Sequence, residues 1–248
     1  MQEYILYSQI PCEREKQVLA ILAGLTGVQP VPIHEQVLIY AQVKAPVVAV
    51  SKKVKPKPQQ NEGQGLSYHK LWREVITKED DTQEVGDWKF RAEQTPEAGS
   101  MTLISRGVVE HKATEAELER LKQPEWYQFR RHYANSGDRF IFGNVIIRIY
   151  RMVVPMEEGV NEGLIEATPL PIEGMKLVDA SGSLIVESLV RVATPDKTNN
   201  IEDQARKDKP SVTDSAKEEL MKFRARMDGA VDLYAPDRLA LDTRARNV

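Results

Sequence analysis

Residues Tyr127–Pro155 read YQFRRHYANSGDRFIFGNVIIRIYRMVVP, and no other segment constrains the architecture as strongly. Phe140-Ile141-Phe142 and Val145-Ile146-Ile147 flank Gly143-Asn144, a pair suited to a two-residue hairpin loop that needs positive φ at its first position. Beyond that turn, Val145 to Val154 is dense in β-branched residues and free of Gly and Pro, so it reads as a long strand. Side chains alternate across a strand, which puts Val145, Ile147, Ile149 and Val153 on one face with Arg151. Ile146, Tyr150, Met152 and Val154 share the other face with Arg148. Both faces are largely apolar, as in a strand covered on each side.

Composition limits what such a strand can belong to. The chain has 248 residues, a length that β-barrels use in a single unit. Hydrophobic residues make up 41%, enough for a sizeable core, while a mean hydropathy of -0.44 assigns much of the chain to surface and loop. A net charge of -3 and a pI near 5.9 supply no bulk basic field for nucleic acid. One cysteine, Cys12, rules out an internal disulfide and fits a reducing compartment. No run reaches the roughly 20 apolar residues of a membrane-spanning helix. Glu3 and its polar neighbours do not read as a secretory signal.

Working outward, Glu3 to Ile10 reads as an opening strand. Pro11, Glu13 and Glu15 start an amphipathic helix carrying Val18, Leu22 and Leu25 on one face. His34 to Lys44 is expected to be a second strand. Ser51 to Gly65 (SKKVKPKPQQNEGQG) has one large apolar residue and reads as a disordered insert. Ser67 to Thr77, Asp87 to Glu93 and Met101 to Glu110 read as strands, with Gly107 marking a bulge. Thr114 and Glu117 form a capping box for a short helix. After the long strand, Met156 to Gly174 reads as loop, and Ala180-Ser181-Gly182 as the turn of a last hairpin. A polar loop over 196–210 precedes a C-terminal helix over about 214–228, capped by Asp214 or Ser215. Ala216, Leu220, Phe223 and Met227 form its stripe. The last dozen residues read as frayed. Strands that follow one another without crossover helices predict a mainly β (α+β) fold. The expectation is one antiparallel meander curled into a barrel over 1–248, with flanking helices near both termini.

The chemistry-bearing residues form no catalytic or metal pattern. His34, His69, His111 and His132 have no partner at metal-ligand spacing, and Cys12 has no second thiol. His34-Glu35 begins like a metalloprotease signature, but Leu38 stands where the second histidine belongs. Neither a phosphate-binding loop nor a G-x-S-x-G elbow is present. No cofactor is implied. β-Tunnels that hydrolyse triphosphates line their interior with Glu for metal and Lys or Arg for phosphate. The strands here carry mixed sets, such as Lys70, Trp72 and Glu74 on one parity, and Glu3 is followed by Ile5 where a Glu-x-Glu pair is expected.

Several stretches, in order, resemble the Mediator complex subunit 18 family, part of the head module of the RNA polymerase II coactivator. FGNVIIRIYRMVVP carries the closest likeness, with Arg148 and Arg151 spaced in an aliphatic strand that ends in Val-Pro. HEQVLIY (His34 to Tyr40), SLIVESLVRVA, the opening EYILYSQI and the terminal helix with Leu220 and Phe223 support it. The resemblance implies an antiparallel β-barrel resembling the triphosphate-tunnel architecture, without its catalysis. It further implies a nuclear protein paired with a related barrel, Mediator subunit 20, and with a helix of Mediator subunit 8. Contact with RNA polymerase II and the TATA-binding protein is implied indirectly, with no sequence-specific DNA binding and no membrane.

Three function classes follow: a partner-binding subunit of a transcription complex, a metal-dependent triphosphate-tunnel phosphohydrolase, or a nucleic-acid module using the lysine-rich insert. The barrel interior discriminates between the first two, because a Glu-and-Arg-lined tunnel favours the hydrolase and an apolar or plugged one opposes it. For partner contacts the expected residues are Tyr150 and Met152 on the long strand, and Leu220 and Phe223 on the terminal helix. Ordinary burial statistics favour core roles for such apolar positions.

Overall fold

Gly143 takes up φ +60° at the tip of the Tyr127–Pro155 hairpin, the left-handed value that a two-residue turn requires there. Its arms are β7 (Tyr127–Phe142) and β8 (Val145–Pro155). They pair antiparallel from Phe142↔Val145 to Ala134↔Val153. The computed structural model describes residues 1–43, 67–77, 83–98, 102–156, 175–193 and 211–244. The expected insert 51–65, the loop beyond Met156 and the polar segment 196–210 lie outside the described residues.

The remaining strands are β1 (Gln2–Ile10), β2 (Val31–Gln42), β3 (Tyr68–Thr77), β4 (Gln83–Val85), β5 (Lys89–Glu93), β6 (Ile104–Lys112), β9 (Met175–Leu177) and β10 (Leu184–Val192). Their order is β10-β1-β6-β5-β3-β2-β7-β8, and β8 pairs again with β10, so eight antiparallel strands close a barrel. β4 hangs on β3, and β9 extends the edge of β8 beyond the end of β10.

Closure differs from a meander. Neighbours in sequence pair along β2-β3-β5-β6 and β7-β8, but β1 is inserted between β10 and β6. The expected hairpin around Ala180 to Gly182 is replaced by two strands that both pair with β8. A pair of adjacent apolar strands is equally compatible with a hairpin or with a shared neighbour, so local pattern could not choose. Gly107 is not a bulge either, since the register from Gln2↔Gly107 to Ile5↔Ile104 is unbroken.

Among the described residues three helices lie outside the barrel: α1 (Glu15–Thr26), α2 (Glu115–Leu121) and α3 (Val212–Met227). Thr114 and Glu117 form the expected capping box on α2. Ser211 caps α3 by accepting from the Asp214 amide, three residues before the cap expected from sequence. The stripe Ala216, Leu220, Phe223 and Met227 is buried. It packs with Val18 and Leu22 of α1 against Ile147, Ile149 and Val186 on the outer face of the barrel. Among the described residues this is the largest apolar cluster, and it sits between strands and helices. Full burial of a side chain the size of Phe223 contributes about 2–3 kcal/mol. Arg151 points to the same side and holds Glu15 of α1 at 2.5 Å.

As far as Arg244 the C-terminal segment is a strap anchored on the barrel, so the described part of the last dozen residues departs from the expectation of fraying. Tyr7 and Tyr234 exchange backbone hydrogen bonds at 2.9 Å, and Tyr68 N–H donates to Thr243 at 2.9 Å. The Thr243 hydroxyl donates to the Glu93 carbonyl at 2.9 Å, which fixes the strap over β5. A 3-10 turn at Arg238–Leu241 lies between these anchors. Polar composition read as fraying because these anchors are long-range and mostly backbone.

Candidate functional site

The inner face of β8 carries Ile146, Arg148, Tyr150 and Met152, all lining a cavity of about 680 Å³ within the barrel. The two faces of this strand therefore divide as alternation predicts, one facing the cavity and one facing the helices. Gly137 of β7 lies opposite Tyr150, and a Cβ there would come within 2.0 Å of the Ile149 carbonyl oxygen. Only glycine lets the two backbones approach so closely at this point.

The interior is charged. Glu3 is fully buried, and its carboxylate accepts from Arg91 at 2.7 Å, Arg191 at 2.9 Å and Arg106 at 3.3 Å. Arg91 also donates to Glu93 and Glu110, each at 2.7 Å. Glu93 takes further bonds from Arg106 at 2.9 Å and Lys70 at 3.0 Å. Across the cavity, Arg148 contacts Glu35 and donates to Glu187 at 2.9 Å. Tyr7 donates to the same Glu187 at 3.1 Å. A smaller apolar group, Ile5, Ile104 and Leu189 with Ile146 and Leu241 of the strap, fills part of the same space.

Register explains the convergence. Glu3 pairs directly with Arg191 on β10 and Arg106 on β6, so all three point inward at one level. Arg91 and Glu110 are partners across β5 and β6. Burial alone would raise the Glu3 and Glu93 pKa values, but the surrounding cations outweigh it. Arg91, Arg106 and Arg191 hold Glu3 below the usual carboxylate range, and Lys70, Arg106 and Arg91 do the same for Glu93. Burial and the neighbouring Glu187 push the Tyr7 and Tyr150 hydroxyls well above their ordinary value. Both carboxylates are anionic at neutral pH, and both phenols are neutral.

Chemically, this is a lattice of ion pairs. Glu3, Glu35, Glu93, Glu110 and Glu187 each contact at least one guanidinium. A carboxylate engaged this way is poorly placed to take a divalent cation, because metal binding would have to displace a buried guanidinium. The interior is nevertheless Glu- and Arg-lined, the composition expected of a hydrolase tunnel, so composition alone leaves that alternative standing.

The four residues expected at partner contacts fall into two places. Tyr150 and Met152 face the cavity. Leu220 and Phe223 are 0% and 1% exposed beneath α3, so their surface is taken up within this chain. Sequence reasoning missed the ion-pair lattice, although a signal exists. Arg91 and Glu93, Arg106 and Glu110, and Glu187 and Arg191 each share a parity on their strand. Charges on one parity of several strands mark a polar interior once the sheet closes.

The sequence profile described as "Med18 protein" matches residues 2–244. The chain belongs to the Med18 family. Subunit 18 of the Mediator of RNA polymerase II transcription from Yarrowia lipolytica is 24% identical over 99% of this chain and 100% of its own length. The Aspergillus oryzae protein of the same name is 22% identical, with the same coverage. Among solved structures, a chain of the Schizosaccharomyces pombe Mediator head module superposes with a TM-score of 0.65 at 19% identity, covering 95% of this chain and 98% of that one. The closed barrel with outer helices is thus a fold shared with a chain of that head module, and the family likeness read from FGNVIIRIYRMVVP extends over nearly the whole sequence.

Proposed function

We propose that this chain is a non-enzymatic subunit of the Mediator coactivator that joins other head-module subunits in the nucleus and helps regulate RNA polymerase II transcription. The observation that carries this reading is the pairing of Glu3, Glu35, Glu93, Glu110 and Glu187 with guanidiniums, at distances of 2.7 Å around Arg91. A tunnel hydrolase needs carboxylates open to metal and cations open to phosphate. Around Glu3, Glu93 and Glu110 the carboxylates and cations neutralise each other, which closes those carboxylates to metal and makes that side of the barrel a scaffold. Membership of the Med18 family and the likeness to a head-module chain support the same role. The partners in this reading are Mediator subunit 20, through its related barrel, and subunit 8, through a helix, with RNA polymerase II and the TATA-binding protein reached through the assembly.

The test is affinity purification of the tagged chain from native nuclear extract, with identification of the retained proteins by mass spectrometry. Recovery of subunits 20 and 8 in near-stoichiometric amounts is expected. A chain recovered alone refutes the subunit role. Release of phosphate from tripolyphosphate with Mg²⁺ or Mn²⁺, abolished by Glu93→Gln, would instead establish the hydrolase.

A further inference from the structure

Subtracting the ion pairs leaves the cavity with unbalanced charge on one wall. Lys70, Arg91, Arg106, Arg148 and Arg191 are paired, whereas Arg130, Arg131 and Arg139 also line the cavity and have no hydrogen bond or ion pair among the described residues. All three belong to β7, which stands opposite β6 in the ring of eight strands. The lattice around Glu3 and the C-terminal strap occupy the β6 side. Against these cations, Glu74 on β3 is the one lining carboxylate with no such partner among the described residues.

Arg139 is the most telling of the three. It sits directly opposite Arg148 across β7 and β8, and the nearby carboxylates Glu35 and Glu187 pair with Arg148 and not with Arg139. Like charges in that relation are unfavourable. The Arg139 Nε is buried without a hydrogen-bond partner. Trp72 Nε1 and Asn135 Oδ1, on the same cavity, are also buried and unpartnered. Leaving buried polar atoms unpaired carries a cost that a ligand offering the missing partners would remove.

Spacing and chemistry specify that ligand. Arg131 and Arg139 are eight residues apart on one strand and share its inward parity, which separates them by about 27 Å. A compact anion reaches one of them; an extended chain reaches both. Two orphan atoms are donors and one is an acceptor, so the complement must offer both donors and acceptors. A peptide backbone does so, whereas a polyphosphate offers acceptors only. We infer that the β7 wall of this barrel binds an extended acidic peptide segment, with carboxylates at its ends meeting Arg131 and Arg139, and with Tyr150 and Met152 against its middle. Such binding is a property of the isolated barrel and does not rest on the subunit role proposed above.

The probe is a fluorescein-labelled (Glu-Ser)5 peptide, about 33 Å long when extended, titrated with the purified chain at low salt and read by fluorescence anisotropy. Saturable binding is expected, with Arg131→Gln and Arg139→Gln each weakening it about tenfold, the loss of one charge-assisted contact. A (Glu-Ser)3 peptide, about 20 Å long, reaches only one arginine and should respond less than about twofold to either substitution. Arg139→Gln removes no hydrogen bond or ion pair among the described residues, so its thermal midpoint should be unchanged or raised. Should it fail to fold, exposed Arg131 carries the test alone. No saturable binding, affinity indifferent to both substitutions, or equal or tighter binding of a length-matched polyphosphate would each overturn the assignment.

Discussion

Replacing Glu3 by Gln tests whether the interior ion pairs hold the barrel together. Glu3 is fully buried and faces three guanidiniums at 2.7, 2.9 and 3.3 Å. Glutamine keeps the shape but removes the charge, leaving Arg91, Arg106 and Arg191 to share Glu93 and Glu110. Removing one partner of a buried pair typically costs about 3–5 kcal/mol, because the other charge stays desolvated. Against a domain stability of about 5–15 kcal/mol, that is a large fraction. With about 2–4 °C per kcal/mol for a domain of this size, the thermal midpoint should fall by roughly 6–20 °C at pH 7. Because the site is buried, added salt should leave the difference nearly intact. Arg191, whose side chain is 32% exposed, supplies the control. Arg191→Gln alone should cost less, and the double variant should lose clearly less than the sum of the two, with a coupling of about 1 kcal/mol or more. A Glu3→Gln variant within about 0.5 kcal/mol of the parent, or one whose deficit vanishes in salt, would show a solvated interior and refute the reasoning.

Other perturbations probe the remaining contacts. Phe223→Ala should destabilise by about 3–5 kcal/mol in urea unfolding, because it opens a void between α3 and the barrel. Gly137→Ala should cost about 1–3 kcal/mol or more, since its Cβ meets backbone at 2.0 Å, whereas at Gly107 the contact at 2.3 Å is the movable end of Gln94, so Gly107→Ala should cost less. His132 is buried, and burial with the nearby Arg73 charge lowers its pKa to about 4 from an ordinary 6.5. The unfolded chain therefore takes up a proton first. Its contribution to stability is complete above pH 6.5 and declines as pH falls towards 4, by at most about 1.4 kcal/mol per unit. Urea midpoints at pH 7, 5.5 and 4.5 should show this decline, and His132→Gln should make it shallower without abolishing it, because burial also lowers His69 to about 4 and His34 in the same direction.

Local features of the fold were legible because local physics sets them. Gly143-Asn144 names a turn, Thr114 and Glu117 name a cap, and Ala216, Leu220, Phe223 and Met227 name a helix face, each from residues within a few positions. The strap and the closure were not legible. β1 joins β10 and β6 through partners about a hundred or more residues away, and Tyr234 finds Tyr7 by backbone atoms that carry no sequence signal. The site failed to show for the same reason. Glu3 meets Arg91, Arg106 and Arg191 at sequence separations of 88, 103 and 188. Only the shared parity of the charges within each strand was visible in advance. It predicts a polar interior but not which charges pair.

Pairing is the ground on which we propose that this barrel is no metal-dependent tunnel, and Arg91 is where that proposal can be tested. One guanidinium contacts Glu3, Glu93 and Glu110, each at 2.7 Å, so three carboxylates converge on the volume it fills. Arg91→Ala empties that volume and removes the cation that contacts all three. Arg106, Arg191 and Lys70 remain, too few to give every oxygen the contact it now has. Mutual repulsion should then raise the carboxylate pKa values and destabilise the variant. A divalent cation with oxygen ligands is the natural replacement for the missing charge. Millimolar Mn²⁺ should therefore raise the thermal midpoint of Arg91→Ala by several degrees and leave that of the parent unchanged, as expected for a ligand that binds only the folded variant. Equal shifts in both proteins would mean that the parental carboxylates are already open to metal, and the case for a purely structural interior would fail.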